Sequence, residues 1–259
     1  MAWYSEDQPE VLNFIVVGNH YSGHDLLRSS LSAHPSMVCH GNLLHCDEET
    51  RRTLHEDYFG DSGKVPSWYL PKLISVEHYL NNKVFDNNVN DEKAVGVQLS
   101  YANFIKNDLW DYADQKCRSG DFCILHMTRN PVACFVDVEQ NRPKKSRKNT
   151  PLQFAPSWVS EIDPHELTTF VREHLANEIK INRVCGDRAV ISYHELIRDL
   201  KGSLKQIFDF LEVPYSPACV PNSKQIDMRD IRSRIGNWQQ LLDELPLDVL
   251  DMLESPTLF

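Results

Sequence analysis

Short apolar runs alternate with longer amphipathic ones along this chain, each run closed by a polar or glycine-bearing turn. Runs at 13–17, 36–39, 94–99, 121–127 and 188–192 are too short for helices and rich in Val, Ile and Phe, which predicts buried strands. Between them, apolar residues recur at helical spacing over 23–33, 68–80, 101–116, 131–140, 164–184 and 194–211. Alternation of this kind predicts one α/β domain spanning 1–259: a three-layer structure with a parallel sheet flanked by helices. The stretches 42–66 and 141–163 are polar, proline-bearing and irregular, and read as insertions. In an open parallel sheet the ligand sits outside the carboxyl ends of the strands, so loops 18–23, 40–45, 99–103 and 128–131 should converge on one site. The segment after Pro214 should fold back over the domain.

The first strand–turn–helix carries the strongest chemical signal. Phe14 to Val17 ends at Gly18, a polar loop follows, and beyond Gly23 the residues Leu26, Leu27, Ser30 and Leu31 recur at helical spacing. The first N–H groups of such a helix have no internal partners, and with the positive end of the helix dipole they favour an anion such as phosphate or sulfate. Gly18 and Gly23 have the spacing of the G-x-x-x-x-G-K-[ST] nucleotide loop, but His24 and Asp25 stand where the Lys and the magnesium-holding hydroxyl would be. That chemistry argues against an ATPase or kinase. An ordinary strand–turn–helix without a ligand is the competing interpretation.

Composition narrows the partners. A formal charge of −10 opposes broad binding to nucleic acid or anionic membranes. The basic run Lys144, Lys145, Arg147 and Lys148 reads as a solvated loop or, less simply, a clamp on a ligand. No apolar stretch has the length of a membrane span, and the amino terminus has neither the basic nor the apolar region of a signal peptide. Seven cysteines with no C-x-x-C pair fit reduced thiols in a cytoplasmic protein.

Three further blocks bear on function. In Ile124-Leu-His-Met-Thr-Arg-Asn-Pro-Val-Ala-Cys-Phe-Val-Asp137 a strand delivers Arg129 to its carboxyl end, Pro131 suits the first helical turn, and Asp137 returns about two turns later on the same side. Ala189-Val-Ile-Ser-Tyr-His-Glu-Leu-Ile-Arg-Asp-Leu runs on to a helix ending Phe-Leu-Glu-Val-Pro214. Ser223-Lys-Gln and Ile231-Arg-Ser-Arg-Ile-Gly-Asn-Trp238 supply Lys224, Arg232 and Arg234, either as a cationic lid or as a surface helix with Trp238 docked on the core. In this order the blocks resemble the sulfotransferases that use 3′-phosphoadenosine 5′-phosphosulfate (PAPS), over about residues 13–45 and 120–240. Asp163-Pro-His-Glu-Leu and the stretch 170–187 are similar to bacterial members.

That resemblance implies a P-loop nucleotide-hydrolase-like fold and sulfuryl transfer from PAPS, without a metal, to a hydroxyl or amine of a small molecule or glycoside. It further implies that His20, Tyr21, Ser22, Gly23, His24 and Asp25 face the 5′-phosphosulfate, that Arg129 and Asp137 face the 3′-phosphate, that Tyr193 lies near the adenine, and that Arg232 and Arg234 close over the nucleotide. The chain departs from the family's pattern at Tyr21, where relatives carry Lys or Arg, at His24 and Asp25 in place of Thr, and at Asp137 in place of Ser. Carboxylates at 25 and 137 would repel a charged nucleotide. Arg28, one turn beyond Asp25, could neutralise the first, and a protonated His20 or His24 could stand in for the missing Lys. Met37-Val-Cys-His-Gly-Asn-Leu-Leu-His45 is similar to a stretch where bacterial relatives carry the base as Glu, but here Asn42 takes that position. His40, two residues earlier and on the same side of an extended segment, is then the first candidate base and His45 the second. A metal on His34, His40, His45 and Cys46 is a further option that matches no closed zinc pattern. The other functional class is a non-catalytic binding protein whose altered loop no longer transfers sulfuryl groups, which would have Asp25 or Asp137 filling the pocket. The acceptor would be shaped by 42–90 and 141–163.

Overall fold

In the computed structural model of the protein, which describes residues 11–41, 44, 75–85, 92–141, 159–220 and 230–253, five parallel strands form one sheet in the order β2-β3-β1-β4-β5. They are β1 (Leu12–Gly18), β2 (Met37–His40), β3 (Ala94–Ser100), β4 (Phe122–Thr128) and β5 (Arg188–Ser192). Each falls within a residue or so of its sequence-predicted run, because strands covered on both faces need to be apolar throughout. The helices are α1 (His24–Ser32), α2 (Val76–Tyr79), α3 (Tyr101–Asn107), α4 (Trp110–Arg118), α5 (Pro131–Asn141), α6 (Pro164–Arg183), α7 (Tyr193–Arg198), α8 (Leu200–Phe210), α9 (Trp238–Glu244) and α10 (Leu247–Leu253).

Side chains of β1 alternate between two cores. Phe14 and Val16 join Leu27 and Leu31 of α1 and Leu204, Ile207 and Phe208 of α8 on one face. Ile15 and Val17 join Phe104 of α3 and Tyr112 of α4 on the other. The expected three-layer α/β architecture is therefore present. A third cluster unites Val132 and Val136 of α5 and Leu167 of α6 with Ile231, Leu241, Val249 and Leu253, so the chain after Pro214 does fold back onto the domain.

Two predicted helices divide. The 101–116 pattern breaks at Asp108, a left-handed residue (φ 52°) that ends α3 before α4 begins. The 194–211 pattern breaks at Asp199, whose side chain accepts from Gly202 N–H and starts α8 afresh. Of the predicted 68–80 helix, 68–74 lie outside the described residues and only Val76–Tyr79 is α-helical, continuing into a π-helical turn over Leu80–Phe85.

Gly96 has a steric reason to be glycine. It pairs across the sheet with Phe14, and a Cβ there would stand 2.2 Å from the Phe14 ring. Gly96→Ala should cost about 1–3 kcal/mol of unfolding free energy through overpacking. Urea denaturation of the variant checks this; an unchanged midpoint would mean the ring has room to move.

Candidate active site

The strand order reverses at β1, whose neighbours β3 and β4 come from opposite sides of the chain's path, and the loop leaving β1 lies at that switch point. Its shape depends on its two glycines. A Cβ on Gly18 would stand 2.5 Å from Ser22 Oγ and 2.9 Å from the Met127 carbonyl oxygen. Gly23 adopts φ 94°, and a Cβ there would stand 2.2 Å from the Tyr193 ring. Tyr21 is left-handed too (φ 62°), a conformation that costs a non-glycine residue on the order of 1–3 kcal/mol and marks a held turn. Ser22 N–H donates to the Asn19 carbonyl (3.1 Å), completing a tight turn into α1. No side chain caps the start of that helix. The Leu26 and Leu27 amides bond the Gly23 carbonyl, so it is the amides of His24 and Asp25, ahead of them, that can face an anion.

A cationic wall stands beside the loop. Arg129, delivered by β4, donates from Nη1 to the Tyr21 carbonyl (2.5 Å) and to Asp137 Oδ2 (2.6 Å). Its guanidinium lies 4.4 Å from the centre of the Tyr193 ring. Pro131 opens α5 and the Asn130 side chain accepts from Val132 N–H (2.9 Å), which fixes the turn that brings Asp137 back to Arg129. The second carboxylate oxygen of Asp137 accepts from Arg234, whose Nη2 also donates to Gln140 Oε1 (2.5 Å). Arg234 is 2% exposed. One carboxylate thus joins two arginines, in an Arg129–Asp137–Arg234 bridge. Arg232 is exposed and lies over the Trp238 ring (5.4 Å), so of the two lid candidates only Arg234 joins the cluster.

The carboxylate and imidazoles of the loop have partners of their own. Asp25 accepts from Gln98 Nε2 (2.9 Å), while Arg28, expected to neutralise it, runs toward Gly41. His24 is buried, shares a hydrogen bond between Nδ1 and Ser22 Oγ (3.1 Å), and is held toward its neutral form by burial. It therefore does not replace the missing lysine in the free protein. Its ring meets that of His20 edge-on, with centroids 6.3 Å apart. Arg129 is a permanent cation in direct hydrogen-bond contact with the loop's backbone.

His40 ends β2 in register with Val97 of β3 and, through it, Ile15 of β1, three residues short of Gly18; it is half-buried, its pKa lowered mainly by burial, which keeps it neutral and able to take a proton. His45, Asn42, Cys46, the basic run 144–148 and Lys224 lie outside the described residues. Among the described residues no group of three His, Cys, Asp or Glu side chains is placed to share a metal. No described helix is long and apolar enough to cross a membrane.

Sequence reasoning did not reach the support behind the loop. Asn19 accepts from His20 N–H through Oδ1 (2.8 Å), and its Nδ2 bonds His174 Nδ1 (2.8 Å), whose Nε2 meets Glu178 (3.2 Å). The i,i+4 pairing of His174 with Glu178 is visible in α6, but nothing in the sequence ties it to a residue 155 positions away. Next to it, Tyr101 hydroxyl and His126 Nε2 share a buried 2.6 Å hydrogen bond, and the Tyr101 and His174 rings meet edge-on.

No family model matches this chain, and no curated protein matches it. Among solved structures it is similar to the sulfotransferase domain from the Synechococcus PCC 7002 olefin synthase (17% identity, 98% of each chain covered, TM-score 0.46). It is also similar to a sulfotransferase from Alicyclobacillus acidocaldarius (19% identity, 83% of this chain and 87% of that one, TM-score 0.47). A third is the sulfotransferase domain from the curacin biosynthetic pathway (16% identity, 84% of this chain and 80% of that one, TM-score 0.44). The expected similarity to sulfotransferases is met among these solved structures.

Proposed function

We propose that this protein transfers a sulfuryl group from a nucleotide 5′-phosphosulfate to a hydroxyl or amine of a small molecule or glycoside. The observation that carries this reading is the Gly18–Gly23 loop: a tight turn into an uncapped helix start, walled by Arg129 and Tyr193 and lacking the lysine of a nucleotide hydrolase. Backbone N–H groups and Arg129 would hold the charge that builds on the leaving phosphate. His40 would take the acceptor's proton as its oxygen or nitrogen bonds to sulfur and the sulfur–oxygen bond to the phosphate breaks. The residues present fit the 5′ end of PAPS better than its 3′-phosphate, because the Asp137 carboxylate stands between the two arginines.

That last observation favours a second reading, a binding protein of sulfotransferase fold without transfer activity. The two are separated by incubating the protein with sulfur-labelled PAPS or adenosine 5′-phosphosulfate and a panel of phenols, sugars and amines. The enzyme reading expects labelled product, reduced by about a hundredfold or more in His40→Gln, with nucleotide affinity retained. Nucleotide binding without product on any acceptor supports the second reading. Absence of nucleotide binding sinks both.

A further inference from the structure

The Arg129–Asp137–Arg234 bridge has the charge pattern of a hydroxyl reader. A carboxylate can only accept hydrogen bonds, and it has about four lone-pair directions. Here Oδ2 is engaged by Arg129 and Oδ1 by Arg234, and the Asp137 side chain remains 18% exposed. The nitrogen of Arg129 that reaches Asp137, Nη1, also donates to the Tyr21 carbonyl of the loop, and the one of Arg234, Nη2, also donates to Gln140. A phosphate arriving at this point meets the Asp137 carboxylate standing between the two guanidinium groups, and its negative charge is repelled by that carboxylate. A hydroxyl arriving there finds an acceptor whose orientation is fixed from both sides. Nucleotide-binding folds draw the same distinction with other residues: an acidic side chain accepts from a free ribose hydroxyl, whereas an arginine accommodates a ribose phosphate.

We propose that Asp137 sets the nucleotide specificity of this site, selecting a nucleotide with a free ribose hydroxyl, such as a nucleoside 5′-phosphosulfate, over one that carries a second phosphate on the ribose. Asp137 lies beside the 5′ loop because Arg129 bonds both, which puts its carboxylate within one side chain of a group anchored on the loop. The inference rests on the loop receiving the 5′ group.

The test is calorimetric titration of the full chain with adenosine 5′-monophosphate and with 3′,5′-adenosine bisphosphate, on wild type, Asp137→Ser and Asp137→Asn. Wild type should bind the monophosphate at least about tenfold more tightly than the bisphosphate, and the substitutions should shift that ratio toward the bisphosphate by a further tenfold or more. Equal or tighter binding of the bisphosphate by wild type overturns the inference and leaves the loop assignment standing. Binding of neither nucleotide to folded wild type, with binding also absent in both variants, overturns the loop assignment and the inference with it. The wild-type ratio decides alone should Asp137→Ser fail to fold, and Asp137→Asn keeps the shape of the side chain while removing its charge.

Discussion

Asp137→Ala is expected to lower the unfolding free energy by about 3–5 kcal/mol, because it strands two guanidinium groups that the fold has removed from water. Arg234 is 2% exposed, and Arg129's side chain is only 12% exposed. Neither can be neutralised by losing a proton, since arginine stays charged at any accessible pH. The cost arises from uncompensated charge, not from a lost contact. Arg234→Met, which removes one cation and leaves Asp137 paired with Arg129, should therefore cost distinctly less, about 1–2 kcal/mol. Urea denaturation of the three proteins reads both effects. Adding sulfate supplies the missing anion, so it should stabilise Asp137→Ala by more than it stabilises wild type, where it meets only the loop. A loss below about 1 kcal/mol with no response to sulfate would place the bridge among ordinary surface ion pairs.

The bridge also shows where sequence reasoning reaches and where it stops. Arg129 and Asp137 were legible as residues on one side, from a strand exit, a proline at the helix start and a separation of two turns, but the ion pair between them was not. Arg234 was legible only as a cation in a segment rich in them. Its contact with Asp137 spans 97 positions, and nothing local distinguishes it from Arg232, which stacks on Trp238 instead. The strands were legible because burial on both faces forces continuous apolar runs. The helix breaks at Asp108 and Asp199 were hidden because the apolar periodicity runs through them; only the backbone conformation at each Asp interrupts it. The loop itself could be located from Gly18 and Gly23, while the side chains that hold it could not. Asn19 reads as one more polar loop residue until the fold brings α6 beneath it.

His126 lies in that same hidden layer, and it makes the protein's stability sensitive to acid. The residue sits within the apolar run of β4, in register with Val17 at the end of β1, directly behind the loop. It is fully buried, and burial lowers its pKa from 6.5 to about 4, opposed by Glu178 and reinforced by Arg188 and His174. In the unfolded chain the imidazole gains a proton as pH falls through 6.5; in the folded chain it stays neutral until about 4. Between those values the unfolded state binds more protons, so stability rises with pH across the window and is lost as pH falls. The full contribution is about 3 kcal/mol, from 1.36 kcal/mol for each unit of displacement. His126→Gln keeps a polar partner for the Tyr101 hydroxyl but does not titrate, so it should show a shallower pH dependence. His24 and His40, lowered in the same direction, leave it some slope. Unfolding free energies of wild type and His126→Gln at about pH 7 and about pH 4.5 should therefore converge or cross as pH falls. Parallel curves would mean that His126 is protonated as readily in the fold as outside it. Convergence would show that keeping the Tyr101–His126 pair neutral is a condition of the native sheet behind the strand end that shapes the anion loop.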